Sequence, residues 1–295
     1  MSNNPKAQSY NNATVLTAIG KDDLDEVALF LHRHMNDSFS QAEWKRGISQ
    51  TWMSEVPNYG YMLKSDAQIV GVLCAIYSEQ SIAGSLKRFC NPHSWCVLAD
   101  FRKRSIELVL ALIRQKNYTF TMFSPNKDGL EIFKYLKFQP LDNRILILLN
   151  LPSAHGSGKV IEFQDKQQIK RYLPELAARH YLDHMQFPWL NFLCFRNKNQ
   201  YGFLIYKRYR FKKLASAWIM YISDAALFRQ CWPAIRTCLL LKHGLFTSKI
   251  EARLLDQPIK TWFEPEQGAQ KFYLSDEVSA NGIQNLYSEL VALDL

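Results

Sequence analysis

The stretch that decides the fold of this chain is residues 95–138, WCVLADFRKRSIELVLALIRQKNYTFTMFSPNKDGLEIFKYLKF. It predicts a strand at Trp95–Leu98, then a basic turn, then a helix from Ile106, where apolar residues recur at helical spacing. Tyr118–Phe123 returns to strand character, and a Ser-Pro-Asn sequence ends that strand. A strand that enters a helix through a basic turn presents backbone N–H groups at the positive end of the helix. Such an arrangement binds phosphate.

These elements resemble the acyl-CoA-binding core of the GNAT acyltransferase superfamily. In that superfamily one strand leads into R/Q-x-x-G-x-G/A, whose backbone amides hold the CoA pyrophosphate. A second strand leads into N-x-x-A-x-x-x-Y-x-x-x-G-F. The resemblance covers roughly the first half of the chain and keeps the spacing of both motifs. The first motif falls on Arg102–Glu107, and the second falls on Asn126, Gly129, Phe133, Lys137 and Phe138.

The resemblance implies that acetyl-CoA or another acyl-CoA is the co-substrate. It also implies direct attack of an amine on the thioester, a reaction that requires no metal ion. The implied binding residues lie at the end of the first strand, in the basic turn and in the second motif. They are Cys96, Val97, Leu98, Arg102, Lys103, Arg104, Ser105, Ile106, Glu107, Asn126 and Phe133.

The sequence departs from the superfamily motifs at three of these positions. Ser105 and Glu107 replace glycines; serine is small enough for a pyrophosphate to approach, whereas glutamate is larger and anionic. Phe133 replaces a tyrosine whose hydroxyl often serves as the acid for the leaving thiolate, and phenylalanine donates no proton. We therefore expect water or a backbone N–H to serve instead, because a free thiol has a pKa of about 8.5.

The catalytic base is expected on the strands that flank the implied CoA site. The candidates are His93, Glu79, Ser124 and Asp100. His93 titrates nearest to neutral pH, which suits the deprotonation of an ammonium nucleophile. Its place beside Pro92 is equally compatible with an ordinary loop histidine.

The composition is typical of a soluble globular protein, with 47% hydrophobic and 21% charged residues in 295. This length accommodates two modest domains. No apolar run approaches the roughly 18 residues of a membrane span, and the start of the chain lacks the apolar core of a secretory signal. The six cysteines form no C-x-x-C pair, so we expect reduced, buried thiols, no zinc site and a cytoplasmic location.

The order of elements predicts an α/β protein with two GNAT-like units, each a mixed, mostly antiparallel sheet flanked by helices. Residues 1–13 are predicted to be a flexible tail, and 14–151 the N-terminal, acyl-CoA-binding domain. Residues 152–159 are rich in Gly and Ser and are predicted to be a linker before the C-terminal domain, 160–295. Arg144–Asn150 is expected to close the sheet of the first domain.

The C-terminal domain repeats the strand order of the first domain but lacks its motif. The strand at Ala217–Ser223 is followed by AALFRQCW, which contains neither R-x-x-G-x-G nor any glycine. We therefore expect no CoA site in this domain. His180 and His184, spaced i, i+4 on a predicted helix, suggest packing or surface residues more than a metal site, because no third ligand is apparent.

The net charge of +9 is unevenly distributed: +3 up to Leu151 and +6 beyond it. Residues 184–223 contain no Asp or Glu, and residues 195–213 alternate basic with aromatic side chains. Alternation on a strand places one kind of side chain on each face. The basic face is either a solvated surface or a site for an anionic partner that carries phosphates.

Three functions remain open at this point. The first is an N-acyltransferase that moves an acyl group, most simply acetyl, from acyl-CoA to an amine of a small or sugar-like acceptor. The second is a Fem-type aminoacyl-tRNA-dependent transferase, which the two-unit layout and the basic second half would suit. The third is a non-catalytic module that binds CoA or another anion, suggested by Glu107 and Phe133.

Overall fold

The structure, a computed structural model, describes residues 14–153 and 156–294. The predicted tail at 1–13 and residues 154 and 155 of the predicted linker lie outside the described residues. The helices are α1 (Leu24–His34), α2 (Gln41–Ile48), α3 (Ser105–Ile113), α4 (Lys127–Tyr135), α5 (Lys166–Tyr172), α6 (Glu175–His184), α7 (Ala225–Leu241) and α8 (Glu289–Ala292). The strands are β1 (Val15–Ala18), β2 (Gly60–Ser65), β3 (Gln68–Ile82), β4 (Ser85–Val97), β5 (Thr119–Met122), β6 (Gln139–Pro140), β7 (Arg144–Leu149), β8 (Lys159–Ile161), β9 (Asn191–Asn197), β10 (Gln200–Phe211), β11 (Leu214–Ile222), β12 (Thr247–Glu251), β13 (Glu266–Gln267) and β14 (Phe272–Leu274).

Among the described residues, the strands form two seven-stranded mixed sheets. The order is β1-β2-β3-β4-β5-β14-β6 in the first sheet and β13-β7-β12-β11-β10-β9-β8 in the second. β4 and β5 pair in parallel, as do β11 and β12, whereas the other pairs with a described register are antiparallel. The predicted fold class, two mixed and mostly antiparallel sheets flanked by helices, is therefore confirmed.

Each sheet contains one strand from the other part of the chain. β7 pairs with β12 and β13 in the second sheet, and β14 pairs with β5 and β6 in the first. The expectation that Arg144–Asn150 closes the first sheet is therefore wrong. Its apolar residues 145–148 are all buried, which suits a central strand but does not specify the sheet. A cut at 152–159 would divide the strands of both sheets, and the predicted domain boundaries stay a prediction.

The chain divides into two compact units. The first comprises residues up to Gln50, Ser54–Ile76 and Pro92–Asn117, and the second comprises the remainder. In the first unit α1 buries Leu24, Val27 and Leu31, which recur at helical spacing. α3 packs on β2 and buries apolar residues of its own, so the turn that precedes α3 is held by a packed helix.

The second unit contains the whole second sheet, whose central part is buried on both faces. Along β10, Phe203 and Ile205 contact one apolar cluster and Leu204 and Tyr206 contact the other, because successive side chains of a strand alternate. The first cluster also contains Phe123 together with Leu290 and Val291. No described helix has the length and apolar character needed to cross a membrane.

Candidate active site

The basic turn lies in the first unit, where the chain leaves β4. A 3-10 turn at Ala99–Arg104 runs directly into α3. Arg102 and Lys103 are exposed, and neither forms an ion pair with another described residue. The N–H of Ser105 donates to the carbonyl oxygen of Arg102 within the turn. The two exposed cations are therefore the groups most available to a phosphate.

Arg104 is bound within the protein. Its Nε and Nη2 donate to the two carboxylate oxygens of Glu107 at 2.7 and 2.6 Å, and its Nη1 donates to the carbonyl oxygen of Thr14 at 2.5 Å. This contact gives Glu107 a structural role at a position where the superfamily motif has glycine. Because the pair neutralises both charges, neither side chain adds charge to the turn.

Three other residues predicted to bind CoA lie where β4 ends, namely Cys96, Val97 and Leu98. The Cys96 thiol donates to the carbonyl oxygen of His34 at 3.5 Å, and the N–H of Leu98 donates to Val70 at 2.9 Å. Val97 packs where Gly71 leaves room, since a Cβ at Gly71 would lie 3.0 Å from the Val97 side chain. Ile106 is half-buried at the start of α3.

His93, a predicted base, lies on β4 and is 2% exposed. Its Nδ1 lies 2.9 Å from the hydroxyl of Ser94, and its Nε2 has no partner in the described part of the chain. Burial lowers the pKa of His93 to about 3. An imidazole with this pKa is neutral at pH 7 and accepts a proton poorly, which makes His93 a weak candidate for the base.

Ser94, the next residue, interrupts the regular geometry of β4. Its φ of 50° lies in the left-handed region, which non-glycine residues rarely adopt. Distortions of this kind leave strand backbone groups unpaired and recur beside active sites. Glu79, the second predicted base, lies in the second unit and accepts a hydrogen bond from Nε of Arg88 at 3.3 Å.

In the second unit the ladder between β4 and β5 consists of the pairs Phe89–Thr119 and Cys90–Phe120. Beyond these two pairs, β5 is contacted by the side chain of Asn91. Nδ2 of the buried Asn91 donates to the carbonyl oxygen of Thr121 at 2.9 Å, and its Oδ1 accepts from the N–H of Glu289 at 2.9 Å. Asn91 therefore fixes the start of α8 against the C-terminal end of β5.

Ser124, the third predicted base, lies two residues after the end of β5 and is exposed. Its hydroxyl donates to Oε1 of Glu289 at 2.7 Å. Glu289 is 1% exposed, and its Oε2 has no partner among the described residues. Burial raises the pKa of Glu289 above its ordinary value of 4.5, while hydrogen bonds from Ser124 and Asn91 and the charge of Lys271 oppose the rise. The pair can thus accept a proton from outside through an exposed hydroxyl.

Sequence reasoning missed Glu289. A signal was available, since this acid directly precedes the buried residues Leu290–Ala292. An acid inside an apolar run is either buried with a partner or buried for a function. The partner, Ser124, is 165 residues away in the chain, so the pair itself could not be recognised from spacing.

The two predicted residues of the second motif stabilise α4 and its surroundings. Asn126 is the N-cap, with its Oδ1 accepting from the N–H of Gly129 at 2.8 Å. Phe133 is fully buried, with its ring centroid 5.1 Å from that of Phe138 and 6.4 Å from that of Phe272. The motif spacing of these residues is thus explained by a helix cap and an aromatic core.

A cavity of about 290 Å³ lies beside Ser124 within the second unit. Phe123, Ile145, Trp218 and Leu290 contribute apolar side chains to its lining. Three charged side chains also line the cavity. Lys249 and Glu251 belong to β12, and Lys271 lies just before β14.

A buried ionic network forms part of this lining. Oε1 of Glu251 accepts from Lys271 at 2.5 Å, and Oε2 accepts from Arg253 at 2.7 Å. Asn285 joins the network, because its Oδ1 accepts from both cations at 2.7 Å. Burial would raise the pKa of Glu251, but Lys271 and Arg253 together lower it below its ordinary value. Glu251 therefore remains ionised and satisfied.

The two histidines of α6 are packing residues. Nδ1 of His180 lies 2.8 Å from the hydroxyl of Tyr221, and Nδ1 of His184 donates to the carbonyl oxygen of His180 at 2.7 Å. The His184 ring stacks on Trp52 at 5.3 Å. Burial lowers the pKa of His180 to about 4 and that of His184 to about 3. In the described ranges no three potential metal ligands come together.

The basic hairpin is only partly a solvated face. Lys207 is 3% exposed and donates to the carbonyl oxygen of Leu293 at 2.7 Å, so it does not belong to an exposed basic face of either predicted kind. Its odd-numbered position on β10 explains this, because Phe203 and Ile205 face the same buried side. Arg208 and Arg210 are exposed.

The strand-to-helix connection of the second sheet differs from that of the first. Asp224 is the N-cap of α7, and its Oδ1 accepts from the N–H of Leu227 at 2.8 Å. A carboxylate at this helix terminus occupies the place that a phosphate would need and repels it. This geometry favours the expectation that the second sheet binds no CoA.

No family model matches the sequence, and the search of curated proteins found no match. Solved structures do match. A GCN5-related N-acetyltransferase from Anabaena variabilis is 10% identical, with a TM-score of 0.56 over 88% of this chain and 72% of its own. The corresponding enzyme from Kribbella flavida is 11% identical, with a TM-score of 0.58 over 90% and 72%.

A third structure is the glucosamine N-acetyltransferase region of a fungal multi-domain GH3 β-N-acetylglucosaminidase. It is 10% identical, with a TM-score of 0.55 over 89% of this chain and 38% of its own. At these identities the likeness shows the fold alone. The chain has the fold of the GCN5-related N-acetyltransferases, which confirms the resemblance seen in the sequence. None of these structures supports the anionic partner expected at residues 195–213.

Proposed function

We propose that this protein is an acyl-CoA-dependent N-acyltransferase that moves an acyl group, most simply acetyl, to the amine of a small or sugar-like acceptor. The observation that carries the proposal is the hydrogen bond from the exposed Ser124 to the buried Glu289 at the C-terminal end of β5. The fold supports the reaction class, and this pair supplies the base that amine acylation requires.

The residues of the basic turn suit the CoA pyrophosphate. Arg102 and Lys103 are exposed and are not neutralised by another described residue, whereas Arg104 is held by Glu107. We assign the phosphate contacts to Arg102 and Lys103, which lie in the last turn of the 3-10 segment, just before α3 begins. This assignment narrows the sequence-based set of CoA-binding residues, which contained all three cations.

We assign Glu289 as the base, with Ser124 as the group that relays the proton. The acceptor arrives as an ammonium ion, gives its proton to the Ser124 hydroxyl, and that hydroxyl gives its own proton to Glu289. The free amine nitrogen then forms a bond with the acyl carbon as the carbon–sulfur bond breaks. The acylated nitrogen gives its second proton to water, and the departing thiolate takes a proton from water, so that this proton passes from nitrogen to sulfur through the solvent. The raised pKa of Glu289 brings it closer to neutral pH, where a base is most effective.

A further feature is the fate of the leaving thiolate. Phe133 is fully buried and supplies no acid. The mechanism therefore relies on the low basicity of the thiolate rather than on a protein acid.

The test is thiol release from acetyl-CoA in the presence of a panel of amines that includes glucosamine and small amino compounds. We expect release that depends on the amine and falls at least about a hundredfold in Ser124→Ala and Glu289→Gln. Ser157→Ala and Glu175→Gln are matched controls outside this site and should retain the activity. Amine-dependent release that is equal in all variants would contradict the assignment of the base.

A further inference from the structure

The cavity beside Ser124 is small and mostly apolar. Phe123, Trp218 and Leu290 lie in its lining, and Ile145 of β7 adds a branched aliphatic side chain. A volume of about 290 Å³ is at the lower end of the range for ligand pockets and suits a small molecule. A bound molecule of this size would place much of its surface against carbon atoms.

The charges of the lining leave one cation without an anion. Glu251 accepts from Lys271 at 2.5 Å and from Arg253 at 2.7 Å, so its carboxylate is already shared by two cations. Lys249, two residues before Glu251 and on the same face of β12, forms no ion pair with a described residue. Its ammonium lies 5.1 Å from the ring centroid of Trp218 and 5.6 Å from that of Tyr209. Aromatic faces hold this ammonium in place but do not neutralise its charge.

A half-buried, unneutralised lysine in an apolar cavity favours an anionic group on the ligand. A carboxylate would form a charge-assisted hydrogen bond with it, stronger than a bond between neutral groups. The same cavity also contains Ser124, the residue that we assign to the proton relay. The lining thus offers one group for an anion, one for an amine and apolar walls for the remainder.

We propose that this cavity is the acceptor site and that the acceptor is an apolar α-amino acid. This inference rests on the proposed acyltransferase function. The carboxylate binds Lys249, the side chain packs on the apolar walls, and the ammonium loses its proton to Ser124 and Glu289. The products are an N-acyl amino acid and the free CoA thiol. A sugar amine fits less well, because its hydroxyl groups would lose water without finding partners on these walls.

The experiment measures binding of the acceptor by calorimetry with no acyl-CoA present. L-Leucine and L-phenylalanine are compared with the matched amines that lack the carboxylate, 3-methylbutylamine and 2-phenylethylamine, and with glucosamine. We expect each amino acid to bind about tenfold or more tightly than its matched amine. Lys249→Met should abolish this preference, whereas Lys260→Met, at an exposed lysine, should leave it intact.

A second variant tests the location independently of charge. Ala269 lines the cavity and is exposed, so Ala269→Phe should fill the entrance and weaken binding of all the amino acids. Equal binding of acid and amine, tighter binding of glucosamine, or an unchanged preference in Lys249→Met would overturn the proposal. So would the absence of any binding.

The acyltransferase function and the assignment of the cavity can be tested separately. If amino acids bind with dependence on Lys249 but never promote thiol release from acetyl-CoA, the proposed function fails, and the cavity is an amino-acid site but not an acceptor site. If amines are acetylated with no preference for a carboxylate and no effect of Lys249→Met, the cavity assignment fails and the acyltransferase stands.

Discussion

The exposed hydroxyl of Ser124 donates a hydrogen bond of 2.7 Å to the carboxylate of Glu289, which is almost completely buried. The pair joins the C-terminal end of β5 to α8, near the end of the chain. A buried carboxylate whose outward contact is a hydroxyl exposed to solvent can exchange protons without being exposed itself. This relationship is the basis of the proposed chemistry.

Glu289→Gln should lower kcat/KM at least about a hundredfold, because glutamine keeps the shape of the side chain but accepts no proton. In the wild type, kcat/KM should rise with pH as Glu289 loses its proton. Since burial raises the pKa of Glu289, this rise should be centred above the ordinary value of 4.5. A pH profile of thiol release checks both points, and a wild-type rise centred at or below 4.5 would contradict the role of Glu289.

Reversal of the two free charges, Arg102→Glu with Lys103→Glu, should weaken CoA binding about a hundredfold or more, because each contact with phosphate is charge-assisted. Lys116→Glu is a control at an exposed lysine beyond the other end of α3. Arg104→Gln should instead lower stability, since Glu107 and the carbonyl of Thr14 lose their donor. Calorimetry and denaturant unfolding separate the two effects, and equal CoA affinity in all variants would refute the phosphate assignment.

Acid should destabilise the fold through its buried histidines. The pKa of His184 falls from 6.5 to about 3 on burial, and that of His180 falls to about 4. Below pH 6.5 the unfolded chain binds protons that the folded chain does not, so the free energy of unfolding decreases as pH falls. Each such histidine contributes up to about 1.4 kcal/mol per pH unit down to its folded pKa.

The measurement is urea unfolding between pH 4 and 7. His184→Phe, which has no titrating group, should show a shallower dependence on pH than the wild type, whereas His34→Gln, at an exposed histidine, should not. An unchanged slope in His184→Phe would mean that His184 does not titrate differently in the two states.

The exchange of β7 and β14 predicts that the two halves of the chain fold together. A fragment of residues 1–153 lacks β14, which lies between β5 and β6, and a fragment of 154–295 lacks β7, which lies between β12 and β13. Each fragment alone should lack cooperative unfolding, and mixing the two should restore it. Circular dichroism during urea titration reports the outcome, and a cooperative transition in an isolated fragment would contradict this expectation.

Local sequence patterns predicted most helices and strands. α3 and β5 lie close to their predicted positions because their apolar periodicity is strong and their ends carry clear turn signals. The sequence also predicts a final helix at Gly282–Leu293, but the α-helix that the structure has there is shorter and comprises Glu289–Ala292. Its apolar residues are buried by the surrounding core rather than by a helix face.

The partners of these elements could not be predicted in the same way. The pattern of β7 specifies a buried strand in either sheet, and only tertiary packing selects the second one. The same applies to the candidate site. Ser124 was recognised from its position after a strand. Glu289, which contacts Ser124, and Lys249 and Lys271, which line the same cavity, belong to elements more than a hundred residues away in the chain.

Calorimetric titration of the intact protein with acetyl-CoA tests the central claim most directly. The account predicts saturable binding at micromolar concentration that is lost in the variant with both Arg102→Glu and Lys103→Glu and retained in Lys116→Glu. The absence of binding, or binding of aminoacyl-tRNA in place of acetyl-CoA, would contradict the claim that this fold uses an acyl-CoA.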